Sequence, residues 1–264
     1  MEIIISHDID HLSVREHILK DLIIPKYIFR SFLELVNGRI SLKIFTAKIS
    51  GLFKKNAWNN LEELLIFDRE NSVDSTFFVA TSNGKGLSYS KKQAGEAISL
   101  IKRYSFDVAL HGICYDNYEK MRREYEDFKN ISGLDGFGIR MHYLRLNDDT
   151  LKNLARIGYL FDSSVLSGEL DQTHKIDGIA EIPFHLMDSY LFDLKQNLNL
   201  AEAKNKTAGL LDKAEKENKR YVSILFHQEY FSEEFLQYKK WYVWLINYCK
   251  EKGYKFINFR NLYE

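Results

Sequence analysis

Short β-rich runs alternate with longer helical patterns along most of this chain, and that alternation limits its fold more than any other property. The runs are Glu2 to His7, Val73 to Ala80, Asp107 to His111, Phe137 to Met141, Tyr159 to Val165, Ile179 to Phe184, Tyr221 to His227 and Lys255 to Phe259. Between them, apolar residues recur at helical spacing over Ser90 to Tyr104, Tyr118 to Ile131, Asp148 to Ile157, Ala201 to Lys219 and Glu233 to Lys252. Asn147 and Asp148 can cap the third of these helices, and Gly158 can end it. Repeated strand and helix predict parallel strands with helical crossovers, in an open doubly wound sheet or a closed barrel. Eight strand candidates favour the barrel.

Two segments break the rhythm. After the first strand, Leu12 to Val36, Leu42 to Lys54 and Leu61 to Phe67 read as three helices rich in Leu, Ile and Phe, an insertion of about residues 12–70. It leaves the C-terminal end of a strand, where barrel enzymes keep their active sites. It therefore either covers the mouth and shapes a substrate pocket, or forms a packing layer or dimer surface. The second break, Leu166 to Gly178, is polar and reads as a loop.

With 264 residues, 45% of them hydrophobic, the chain is long enough for one sizeable core, and a single domain over 1–264 is expected. Lys plus Arg equals Asp plus Glu at 37 each, so no global field draws the protein to nucleic acid or an acidic membrane. Cys114 and Cys249 lack any C-x-x-C spacing and are expected to be free thiols in a reducing compartment. The apolar run Ile3 to Ile5 is too short for a signal-peptide core or a membrane span, which predicts a cytoplasmic protein.

Four polar clusters stand at the C-terminal ends of predicted strands. In Ser-His-Asp-Ile-Asp-His, positions 6 to 11, strand alternation puts Asp8 and Asp10 on one side, and His7 and His11 on the other. Two carboxylates that close require either a held proton or a cation beside them. His111 closes the Asp107 to His111 strand and offers an imidazole ligand. Arg140 and His142 are two apart and predicted to face the same way; an arginine aimed at a carboxylate holds it ionised and oriented. Phe226-His227 ends a buried-strand pattern with a group suited to general-acid work. No G-x-S-x-G elbow occurs, which disfavours an acyl-enzyme route.

These motifs resemble those of the polysaccharide deacetylases, the NodB-type carbohydrate esterase family, over most of the chain outside the insertion. Asp8-Ile9-Asp10 is similar to the D-x-D form of the opening motif, Ser75 to Val79 to the T-F-F strand, and Leu110-His111-Gly112 to the start of H-x-x-x-H. Arg140 to Tyr143 resembles R-x-P-Y, Phe161 to Ser164 resembles Y-D-S-S, and Leu225 to His227 resembles L-x-H. The resemblance implies a distorted barrel of seven or eight β/α units and a metal-dependent hydrolase, with zinc as the expected ion, that removes an acetyl or formyl group from a sugar nitrogen in surface-polysaccharide biosynthesis. It implies Asp8 as base, Asp10 and His111 as metal ligands, Arg140 as orienter of the base, His227 as general acid and the Tyr143 amide as oxyanion donor. The sequence departs from the pattern twice: Tyr115 stands where the second metal histidine belongs, and His142 stands where the proline belongs. His142 is the expected replacement ligand, with Tyr115 left on the substrate side and His7 and His11 in reserve, although His11 more readily braces its loop. Asp188 either orients His227 or starts the next loop. The rival readings are a carbohydrate-binding barrel that has lost its metal and a small-amide hydrolase of the same fold.

Overall fold

The computed structural model describes residues 1–13, 22–53, 58–192 and 196–263. β1 (Glu2–Ile9) is followed by the three helices of the insertion, α1 (Ile23–Val36), α2 (Leu42–Gly51) and α3 (Leu61–Glu70). The predicted helical residues 14–21 and Lys54 lie outside the described residues. Strand and helix then alternate: β2 (Thr76–Val79), α4 (Lys91–Arg103), β3 (Asp107–Gly112), α5 (Tyr118–Ser132), β4 (Ile139–Met141), α6 (Thr150–Ile157) and β5 (Phe161–Asp162). Three short strands follow, β6 (His174–Ile176), β7 (Ile179–Glu181) and β8 (Leu186–Met187), and then α7 (Asp188–Phe192). α8 (Leu200–Lys216), β9 (Tyr221–Leu225), α9 (Leu236–Glu251), β10 (Lys255–Ile257) and α10 (Arg260–Tyr263) complete the chain.

Each of the eight predicted runs contains a strand. Two strands fall outside the predicted set. β6 folds back antiparallel on β7 inside the stretch that reads as a loop, and β8 follows close behind β7. The N-terminus of α6 also differs from expectation. Asp149 occupies the N-cap without a side-chain bond to the helix, while Asn147 Oδ1 accepts from the Asp149 amide and the Thr150 hydroxyl. Gly158 does end the helix, at φ 105°, a conformation that favours glycine.

The sheet runs β6-β7-β5-β4-β3-β2-β1-β9-β8, with β10 also paired to β1, and every pairing except β6 with β7 is parallel. It curls into a barrel. Just before β8, the Phe184 amide donates to the Val165 carbonyl and the His185 amide donates to the Ser223 carbonyl, so one stretch bonds to both flanks.

The period of two along β1 sorts its side chains. Ile3, Ile5 and Ile9 join the large cluster between sheet and helices, while Ile4 joins Phe78, Ala109, Phe161, Tyr221 and Phe259 in a second cluster that fills the barrel. Above Ile4 on the inward face come Ser6 and Asp8; above Ala109 comes His111; above Phe161 comes Ser163. The interior is thus apolar at its base and polar at the C-terminal mouth, because each strand changes composition at the same height.

The insertion divides into two parts. α3 is a packing layer, with Leu61, Leu64, Leu65 and Asp68 buried against the barrel. α2 packs on the turn after β9, where a Cβ at Gly51 would come within 2.6 Å of Glu234. Among the described residues, no helix is long and apolar enough to cross a membrane.

Candidate active site

Asp8 and Arg140 form one side of the barrel mouth. The Arg140 Nη1 donates to Asp8 Oδ1 at 2.9 Å and to Ser6 Oγ at 3.0 Å. Its Nε donates to the Ser163 carbonyl at 2.8 Å and its Nη2 to Ser163 Oγ at 3.0 Å. The guanidinium is fully buried, with the Phe78 ring 4.2 Å away. A cation withdrawn from water needs its donors met and a counter-charge, and here β1 and the end of β5 supply both. Asp8 is thereby fixed, with its Oδ2 3.9 Å from His111 Nδ1.

Behind this pair, Asp162 and Glu181 are register neighbours on β5 and β7. Burial and the neighbouring Asp162 push the Glu181 carboxyl up to about 11. Asp162 accepts from the amide and hydroxyl of Ser164, whose Oγ in turn receives the Met141 amide, tying β4 to β5.

Asp10, His111 and His142 meet beside Asp8. Asp10 Oδ1 lies 3.2 Å from His111 Nε2 and 3.4 Å from His142 Nδ1, and the two nitrogens are 3.0 Å apart. His111 Nδ1 lies 3.1 Å from the Arg140 carbonyl, and His142 Nε2 lies 2.9 Å from the Lys85 carbonyl. A carbonyl only accepts, so each outer nitrogen carries the hydrogen. The two inner nitrogens of neutral imidazoles then present lone pairs to each other and to a carboxylate oxygen that receives no hydrogen bond. With both rings neutral, such a set can hold a metal ion at its centre. Donor atoms about 2.0–2.1 Å from a tetrahedral zinc stand roughly 3.3–3.4 Å apart, close to the spacing of these three. For the side chains alone, burial works against the charge on Asp10, yet the two imidazoles hold its carboxyl well below the usual range. Burial also opposes a charged His142, and Asp10 outweighs it, raising that imidazole.

His142 reaches this position from a turn and not from a strand. β4 ends at Met141, and His142 opens a 3-10 turn in which Tyr143 and Leu144 have φ of 57° and 55°. Positive φ in two successive bulky residues costs backbone energy and marks a segment held in place by its surroundings. The hold is visible in the 84–87 turn: the Lys85 carbonyl takes the His142 proton, and a Cβ at Gly86 would come within 2.9 Å of Tyr143 Oη. The Gly-Lys-Gly run at 84–86 is the one sequence signal for this support, and the motif reading does not include it.

His227 faces the site from the end of β9. Asp188 Oδ2 accepts its backbone amide at 2.6 Å and Asp188 Oδ1 faces its Nδ1 at 2.7 Å. Burial opposes the imidazolium, but the Asp188 carboxylate raises it well above its usual value. Two residues on, Glu229 has an Oε2 without a hydrogen-bond partner. Burial pushes its carboxyl up to about 8 against the pull of His227. Ser6 and Ser163 stand inside the Ser6–His11 and Phe161–Ser164 segments, where the motifs give them no role, and Glu229 lies beyond the Leu225–His227 motif.

The remaining candidates lie elsewhere. Tyr115 is turned to Arg145, whose guanidinium lies 5.9 Å from its ring, and its carbonyl accepts from Thr150. His7 is fully buried on the opposite face of β1, between the Phe226 carbonyl and Asp68. His11 packs on Trp58 at 5.4 Å. Both cysteines are free thiols.

His11 and Glu229 also line a cavity of about 530 Å³ between the insertion and the loops after α7 and β9. Tyr27, Trp58, Tyr230 and Tyr238 give it aromatic walls, and Ser31 and Tyr27, which also line it, have buried hydroxyls without hydrogen-bond partners. The insertion is anchored there by the Gln228 amide on the Trp58 carbonyl and the Asn60 amide on the Glu229 carbonyl.

No family model matches the chain, and no curated protein matches it by sequence. Solved structures do. A Mycobacterium smegmatis protein assigned as a polysaccharide deacetylase superposes with a TM-score of 0.61 at 16% identity, covering 98% of this chain and 87% of that one. A CE4 family pseudoenzyme from Bacillus anthracis gives 0.50 at 13% identity, covering 80% of this chain and 63% of its own. A mutant CE4 family pseudoenzyme with restored enzymatic activity gives 0.51 at 11%, covering 100% and 67%. The chain has the NodB-type barrel fold of the polysaccharide deacetylases.

Proposed function

We propose that the protein is a divalent-metal-dependent hydrolase that removes an acetyl or formyl group from the nitrogen of a sugar, in a precursor of a surface polysaccharide. The observation that carries this reading is the convergence of inward lone pairs from Asp10, His111 and His142 between a fixed carboxylate, Asp8, and a carboxylate-backed imidazole, His227. Two imidazoles and one carboxylate suit zinc, and three protein ligands leave a position open. When bound, such an ion supplies Lewis acidity, lowering the pKa of water and polarising the amide carbonyl.

The chain's own groups do the rest. Asp8, held in position by Arg140, takes the proton of the attacking water. The Tyr143 amide, presented at the rim by its turn, donates to the oxyanion. His227, kept protonated by Asp188, delivers a proton to the departing sugar nitrogen. The products are the free carboxylate and an amino sugar. A cavity of about 530 Å³, which reaches the chain neighbours His11 and Glu229 but not these groups themselves, supports a sugar-sized substrate over a small amide.

The test is elemental analysis of wild type beside Asp10→Ala, His111→Ala and His142→Ala, with acetate and formate release from N-acylated sugars measured on the same preparations. Near-stoichiometric transition metal lost in all three variants, together with release by wild type only, is the expected result. A wild type that stays empty after soaking in zinc but still binds sugars would replace this reading with a carbohydrate-binding barrel.

A further inference from the structure

The outer face of the insertion is unlike the rest of the surface. Of the twelve large hydrophobic side chains that stand exposed among the described residues, eight lie between positions 22 and 53. On α1, Phe29, Phe32 and Val36 fall at helical spacing along one stripe and are 64%, 50% and 65% exposed, with Ile28 and Leu33 beside them. Leu42 at the start of α2 is 65% exposed and Phe53 just after it 85%. The neighbouring positions Tyr27, Arg30, Ser31 and Glu34 line the cavity, so α1 carries one face turned to the cavity and a second, apolar face turned outward. A helix with a partner on one side only has no reason to carry phenylalanines on the other.

Charge narrows what covers this face. Positions 22–53 contain five Lys and Arg residues and a single acid, Glu34, in a chain whose basic and acidic residues are equal at 37 each. Glu34 is engaged inward by Lys48 at 2.6 Å and by Arg30 at 3.3 Å. Lys43 is exposed beside the apolar stripe, and Lys26 and Arg39 are exposed where the rim of the cavity meets it. A second copy of the chain related by a twofold axis would press this basic segment against itself, and like charges across an interface oppose docking. Exposed Phe and Leu rimmed by Lys and Arg are what an anionic lipid surface binds, with the rings in the acyl boundary and the cations at the headgroups.

We propose that the α1–α2 face of the insertion docks the protein onto an anionic membrane surface, as a peripheral contact and not a span. The neutral charge of the whole chain does not oppose this, because screening confines the field of each patch to about 8–10 Å at physiological salt. The α1–α2 wall of the cavity is then the part of the molecule nearest the bilayer. None of these residues belongs to the metal or proton-transfer groups, so docking stands independently of the hydrolase reading.

The experiment is co-sedimentation of the full chain with vesicles of pure phosphatidylglycerol, against vesicles of phosphatidylcholine, at low salt and at salt of about 0.5 M, well beyond the range in which surface charges act over long distances. Wild type is expected to pellet with the anionic vesicles, at least about tenfold more weakly with the neutral ones, and to be released by salt. Phe29→Ser with Phe32→Ser, and separately Arg39→Glu with Lys43→Glu, are each expected to weaken binding at least about tenfold while leaving the melting temperature and metal content unchanged. Failure of wild type to pellet with phosphatidylglycerol overturns the proposal. So does a concentration-dependent dimer abolished by the phenylalanine variant without vesicle binding, which assigns the face to a second copy.

Discussion

Two buried histidine clusters lie on opposite faces of β1, and they differ in how their lone pairs are met. On the core face, His7 Nδ1 is 2.8 Å from the Phe226 carbonyl, and its other nitrogen meets Asp68 Oδ2 at 2.9 Å. Asp68 also accepts from Ser75 and Tyr242 at 2.7 Å each. Asp68 thus takes two hydroxyl hydrogens whichever nitrogen of His7 carries its own, whereas Asp10 Oδ1 receives none. On the mouth face, His111 and His142 spend their hydrogens outward on carbonyls and turn acceptors inward toward Asp10. Both clusters are buried and rich in short contacts, so neither burial nor proximity separates structure from chemistry. The count of donors against acceptors does.

If that distinction holds, damage on the two faces has different consequences. The largest effect is expected on the mouth face: Asp8→Asn should lower kcat by about 10²–10⁴-fold, the usual worth of a positioned base, while elemental analysis finds the metal retained. Retained activity would remove Asp8 from the chemistry. On the core face, Asp68→Ala strands His7, Ser75 and Tyr242 at once. Urea unfolding should show a loss of about 3–5 kcal/mol, as for other broken buried pairs, with turnover per folded molecule close to wild type. A stable variant with altered turnover would mean that the two faces communicate through β1.

Much of this division is legible in the sequence, and the limits follow from the physics of short segments. Alternation along Ile3 to Asp10 is enough to separate Asp8 and Asp10 from His7, because a strand buried on both faces still alternates strictly. β6 and β8, at three and two residues, are too short for any period to register. The spacing of two places His142 on the strand of Arg140, whereas the strand ends one residue before it. Its position depends on the positive φ of Tyr143 and on Lys85, 57 residues away, and no local pattern encodes that pairing. For the insertion, helical periodicity leaves a lid and a packing layer equally open; α3 packs on the barrel, while α1 and α2 wall a cavity.

The inward lone pairs can also be tested without turnover. Zinc at about 100 times its dissociation constant should stabilise wild type by about 2.7 kcal/mol in thermal unfolding, and His142→Ala should lose that response. Equal stabilisation of the variant would show that the ion binds elsewhere.

The subtlest effect concerns the Asp188–His227 pair, where the sign of a pH dependence is diagnostic. The imidazole is raised well above 6.5 in the folded protein, so the pair's stabilisation is full below the unfolded value and fades as pH rises through the folded one. Asp188→Asn can still accept the His227 amide but loses the charge that holds the proton. Its stability deficit in urea should therefore be largest in acid and shrink as the pH is raised. If His227 is the proton donor, the alkaline limb of kcat/KM must move to lower pH in the same variant, because the acid form is lost sooner. A deficit that grew with pH, or a limb that stayed in place, would mean that Asp188 only fixes the backbone at the end of β9. The imidazole would then have to be removed from the proposed proton path.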